Sequence, residues 1–82
     1  MEQITRTEKQ LGALLRRYRK SSEISQGELG SRVGKRQATV SNLEGGIGGT
    51  LDTLFAVLNA LELEIVVRPR SKGKTTRLGD IF

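Results

Sequence analysis

Cysteine and histidine are both absent from the 82 residues. Without cysteine there is no disulfide framework, no zinc finger and no thiol nucleophile, and a reducing compartment suits such a chain. Without histidine the commonest general base is gone, and with both missing so are the usual transition-metal ligands. The carboxylates that remain are scattered, so the composition points away from an enzyme and implies no cofactor. Long apolar runs are missing too: nothing approaches the ~18 apolar residues of a membrane span, and the start MEQITRTEKQ has no apolar segment of signal-peptide length. A cytoplasmic chain that engages no membrane is expected. Its length and 35% apolar content fit one small domain with one core.

What is present is an uneven positive charge. The net charge is +5, but residues 1–24 carry six basic and three acidic groups, residues 45–67 carry three acidic and no basic ones, and residues 68–82 carry five basic and one acidic. The front half and the tail therefore suit a polyanion, and the acidic block between them turns elsewhere. A solvated basic surface with no partner is the alternative that charge alone leaves open.

Apolar periodicity predicts four helices. Leu11, Leu14, Leu15 and Tyr18 form an amphipathic stripe, and Thr7 with Gln10 reads as a capping box, giving a first helix from about Thr7 to Ser21. Ser25 and Glu28 form a second box, Leu29 and Val33 are an apolar pair, and Gly34 ends that helix. A third follows almost at once, with Ala38, Val40 and Leu43 inward and Gly45–Gly46 as its stop. Two short helices about a tight glycine turn make a helix-turn-helix. The loop GGIGGT lacks the preceding strand and lysine of a phosphate-binding loop and reads as a spacer. Thr50 then caps a fourth helix with Leu51, Leu54, Phe55, Leu58 and Leu61 on its apolar face.

After Leu61 the period changes from 3.6 to 2. Leu63, Ile65 and Val67 alternate with Glu62, Glu64 and Val66 until Pro69, the pattern of one strand. A lone strand leaves its backbone groups unpaired, so a second copy of the chain is expected to pair with it across a twofold axis. The fold class is mainly α, four to five helices with a C-terminal strand pairing across a dimer. Residues 1–68 form the domain and 69–82 a flexible basic tail. The tail ends in LGDIF, whose Leu78, Ile81 and Phe82 are either incidental apolar residues or a docking motif for a partner.

The third helix opens on Lys35 and Arg36, where the positive end of a helix least favours cations. That choice makes sense if the helix end meets a polyanion. A recognition helix enters the major groove with its N-terminal residues at the base edges, and positive groups meet phosphates. Arg36 can donate twice to a guanine, Gln37 can pair bidentately with adenine, Ser41 can serve either edge, and Ala38 or Thr39 can offer a methyl to thymine. Each of these in isolation is also an ordinary solvent-facing residue; their combination carries the DNA reading.

The stretch SQGELGSRVGKRQATVSNLEGG resembles the helix-turn-helix of the phage-repressor-like Xre/Cro family, which implies a lambda-repressor-like fold. In that family a glutamine at the second position of the motif binds phosphate and braces a second glutamine opening the recognition helix; the matching residues are Gln26 and Gln37. Arg19 and Glu44 match the family's pair joining the first helix to the end of the third. Glu23 stands where the family often has glycine, which predicts either a different turn or a left-handed glutamate.

A narrower resemblance, over about residues 10–68, is to the HipB antitoxins, which pair with HipA serine/threonine kinases and repress their shared operon. It implies a nucleoid-associated repressor of an inverted-repeat operator on double-stranded DNA, a homodimer with a HipA-like kinase toxin as partner. Arg36, Gln37, Ala38 and Ser41 would read bases, and Gln26, Lys35, Thr39 and Arg19 would position phosphates. A standalone repressor of the Xre family, or less closely a protein-interaction module, are the other readings.

Overall fold

Each predicted helix begins where a side chain caps it, with one exception that matters later. The computed structural model describes residues 2–70, and these contain four helices: α1 (Glu8–Ser21), α2 (Gln26–Val33), α3 (Gln37–Glu44) and α4 (Leu51–Ala60). Thr7 accepts from the Gln10 amide to start α1, while the Gln10 side chain reaches back to the Arg6 amide instead of Thr7, so the expected box closes one residue early. Ser25 and Glu28 form the full reciprocal box at α2. Thr50 caps α4 through the Thr53 amide. Gly34 ends α2 in the left-handed region at φ 69°, as the turn into α3 requires.

Leu15, Ile24, Leu29, Val40, Val57, Leu58 and Leu61 form the buried core, one or more from every helix. Leu11, Tyr18, Val33, Leu43, Leu54 and Leu63 pack around it. The helix-turn-helix pair α2–α3 is the centre: α1 packs on α3 and α4 on α2. Gly12 sets how close α1 comes, because a Cβ there would lie 2.5 Å from the carbonyl oxygens of both Leu43 and Glu44.

Three expectations are corrected. Ala38 is exposed and does not face inward. On α4, Thr53 and Val57 join Leu58 and Leu61 inside, whereas Leu51 and Phe55 are 72% and 49% exposed. The helix is apolar on two sides, and only one of them meets α2. Finally, residues 63–70 hold no strand, and no other described residue forms a backbone ladder with them. A ladder needs a neighbour, and none lies among the described residues. Leu63 is half-buried against the core, while Ile65, Val66 and Val67 are exposed. Arg68 ties this segment to Glu2 at 3.2 Å. Leu78, Ile81 and Phe82, and most of the tail, lie outside the described residues.

The turn between α1 and α2 takes the second of its two expected forms. Glu23 is left-handed at φ 60°, a conformation that costs a side-chain-bearing residue roughly 1–2 kcal/mol. It is held there by the Ile24 side chain, which is buried in the core, and by the Ile24 carbonyl, which accepts from Arg19.

Candidate nucleic-acid interface

The surface built around α3 rests on a buried ion pair. Arg19, on the last turn of α1, and Glu44, at the end of α3, are each only 7% exposed. Arg19 Nε donates to Glu44 Oε2 at 2.6 Å and Nη2 donates to Oε1 at 3.1 Å, a bidentate fork, and Nη1 donates to the Ile24 carbonyl at 2.8 Å. All three guanidinium nitrogens are thus committed to the protein, so Arg19 presents no exposed cation. The phosphate contact expected of it is corrected on that ground: its part is to position.

The network continues outward. Gln26 Nε2 donates to Glu44 Oε1 at 3.1 Å, and Gln26 Oε1 accepts from Gln37 Nε2 at 3.4 Å. One chain of side chains, Arg19–Glu44–Gln26–Gln37, therefore crosses α1, α3 and α2 and returns to the first residue of α3. It runs from full burial to an exposed amide, and no buried side-chain nitrogen or oxygen among the described residues lacks a partner.

The polar face of α3 lies at the outer end of this chain. Arg36, Gln37, Ala38 and Ser41 are all exposed, and Thr39 is half-buried. This α3 is the helix without a side-chain cap: Arg36 occupies the N-cap position with no capping hydrogen bond, and no acidic residue sits in the first turn. The positive end of the helix is left open to an anion. Exposure of Ala38, which spacing alone placed inside, puts its methyl group on the same surface as Gln37 and Ser41.

Lys35 is not wholly committed to that surface. Its Nζ lies 3.9 Å from Asp52 Oδ2, in the first turn of α4. Asp52 has its carboxyl held below the ordinary 3.8, first by the hydrogen bond from the Thr50 hydroxyl and then by Lys35. The sequence pattern gives no signal for the Lys35–Asp52 contact, since all of α3 and the glycine-rich loop after it lie between the two residues.

Among the described residues there is no cluster of three or more metal-ligating side chains, and no helix is long and apolar enough to cross a membrane.

Comparison with known proteins gives a consistent picture. The model of the family described as helix-turn-helix domain matches residues 10–70. Among solved structures, the chain is similar to a single-substitution HipB variant in a complex with an O2 20mer, at 30% identity over 87% of this chain and 100% of that one, with a TM-score of 0.79. It is also similar to a chain of a HipA-HipB-O2-O3 complex (31% identity, 85% and 100% covered, TM-score 0.78) and to one of a HipB-O4 20mer complex (31%, 85% and 100%, 0.78). No curated protein matches the chain.

Proposed function

Because this chain belongs to the helix-turn-helix domain family and is HipB-like, we propose that it is a sequence-specific DNA-binding repressor and the antitoxin partner of a HipA-like serine/threonine kinase. The observation that carries the DNA half is the reading face itself. Gln37, Ser41 and Arg36 stand exposed on a helix whose N-terminus is open, and the first of them is held from behind by Gln26 and the buried Arg19–Glu44 pair. Pre-set donors lose less freedom on meeting a base edge than mobile ones. In this reading Arg36, Gln37, Ala38 and Ser41 meet bases, and Gln26, Lys35 and Thr39 meet the backbone.

The domain of residues 1–68 acts as a twofold dimer on an inverted repeat. Leu51 and Phe55, one turn apart on α4, and the exposed Ile65, Val66 and Val67 supply the apolar surface. A second copy laid strand to strand pairs the 64–67 backbone, which forms no ladder with any described residue, and covers both sets of side chains. Fully burying a Phe or Leu contributes roughly 1.5–3 kcal/mol, so two such residues per subunit weigh heavily in a small interface.

The kinase half is carried by the likeness to HipB, and its basic tail with Leu78, Ile81 and Phe82 is the proposed docking segment. Two measurements test the whole. Selection of bound sequences from a random duplex pool should return an inverted repeat; a pool without enrichment refutes the repressor. Co-purification of the tagged chain at native abundance should recover a kinase-like protein in near-equal amount; recovery of the chain alone leaves a standalone repressor.

A further inference from the structure

The stretch after α4 carries two charges that the apolar interface leaves unexplained. Along an extended chain Leu63, Ile65 and Val67 fall on the side where Leu63 meets the core, and Glu64, Val66 and Arg68 fall on the other. Glu64 forms no ion pair with a described residue. Arg68 engages Glu2 through Nη1, at 3.2 Å, and both of those side chains are exposed.

Two backbone facts limit how a second copy can lie against this stretch. The Leu63 N–H is already given to the Leu58 carbonyl at 2.8 Å, and Pro69 has no N–H to give. Both residues therefore belong at non-hydrogen-bonded positions of an antiparallel ladder, where the N–H points away from the partner strand. Because positions alternate, Glu64, Val66 and Arg68 take the hydrogen-bonded ones. A twofold axis through a regular antiparallel pair also sets one residue opposite its own copy. With Val66 on the axis, Leu63 faces Pro69, Glu64 faces Arg68, and Ile65 faces Val67. The Glu64–Arg68 pair then occurs twice, once on each side of Val66. An axis at Ile65 sets Glu64 against Val66, and an axis at Val67 sets Arg68 against Val66, so either shift leaves a charge facing a valine.

We infer that Glu64 and Arg68 are a reciprocal charge code, which fixes the strand pair in the register centred on Val66 and selects a second copy of this chain over a related chain without the code. The inference rests on the twofold dimer proposed above and adds to it a register and a basis for partner choice. Opposite charges directly facing across two strands attract, and like charges there repel. A chain that is neutral or reversed at one of these positions loses a contact on each side of the axis, so discrimination is counted twice. Exposed pairs of this kind contribute little to tightness, and their weight falls on which partner is accepted and where it sits.

The test is charge reversal in the full chain, read by sedimentation at low salt and at about 1 M salt. E64R and R68E each set like charges opposite one another twice per dimer, so each should dissociate at roughly tenfold higher concentration than wild type. The double variant E64R/R68E, and an equimolar mixture of the two single variants, bring opposite charges together again and should dimerise as wild type does. These differences should close at high salt, where exposed charges are screened. Register is read separately by oxidation, since the chain has no cysteine of its own. V66C should link to its own copy, because hydrogen-bonded pairs hold their Cα atoms about 5.5 Å apart, within reach of a disulfide. I65C should link only when mixed with V67C. Single variants that dimerise like wild type, or a mixture without rescue, overturn the code and leave the dimer standing; ready self-linking of I65C overturns the register. Wild type that sediments as a monomer refutes the dimer and the code together.

Discussion

Gln37 donates to Gln26 across 3.4 Å, and this contact joins an exposed residue of the candidate reading surface to the two buried charged side chains among the described residues, Arg19 and Glu44. Residues eleven apart in sequence share one amide contact because the turn at Gly34 folds α3 back beside the start of α2. Gln37→Ala should therefore act in two ways. It removes a bidentate donor and acceptor, lowering affinity by ~1–3 kcal/mol for the preferred base at one position and relaxing choice there. Equal losses on enriched and unrelated duplexes, in a titration of both, would contradict base reading.

The pair behind it is a stability element. Arg19→Ala leaves the Glu44 carboxylate buried without its cation, a change that costs roughly 3–5 kcal/mol for buried pairs. Against the ~5–15 kcal/mol of a typical domain, that is enough to shift the urea midpoint strongly. Replacing both partners with apolar residues, Arg19→Met with Glu44→Leu, should recover much of the loss. The double variant should still bind DNA less selectively, because Gln26 then has no carboxylate to anchor it.

Phe55→Asp tests the outward side of α4. A charge on that half-exposed position barely affects a monomer but cannot be buried against a second copy without penalty. Sedimentation should show the variant as monomer at concentrations where wild type is dimer, with helix content by circular dichroism unchanged. A variant that sediments as wild type places the dimer contact elsewhere.

Asp52→Asn tests the link between α4 and the turn. Its folded pKa is depressed, so the ionised carboxylate favours the folded state above the ordinary 3.8, and that contribution fades as pH falls through the lowered value. The difference in melting temperature between wild type and variant should accordingly be steady near neutral pH and close on acidification. Because the substitution also frees Lys35 of its counter-charge, DNA binding at low salt should tighten; weaker binding would show that the pair holds Lys35 in its working position.

Much of the fold could be read from local chemistry. Thr7, Ser25 and Thr50 announce three helix starts and Gly34 a stop, because caps act within a turn of their own position. The candidate site was legible where residues repeat at 3.6, as for Gln37 and Ser41. What sequence could not decide was direction on helices with apolar residues on two sides. Leu51 and Phe55 belong to one stripe with Leu58 by spacing, yet α4 buries Thr53, Val57 and Leu58 and leaves Leu51 and Phe55 exposed. Ala38 stands exposed where spacing predicts an inward residue, because a single methyl gives too weak a preference to hold it inside. The exposed state of Ile65 and Val67 has the same origin: alternation reports a surface suited to pairing, and no described residue pairs with it in a ladder.

Gly12 admits the carbonyls of Leu43 and Glu44 to where any side chain would stand, so main chain meets main chain where α1 crosses the end of α3. The tilt of the reading helix is therefore indifferent to which residues occupy its outward face. Under the proposed reading, exchange of Gln37, Ala38 or Ser41 for other side chains alters the message recognised and leaves the main-chain crossing untouched. Paralogues sharing this crossing can diverge in the operators they recognise through a few surface changes, each arising without a structural detour.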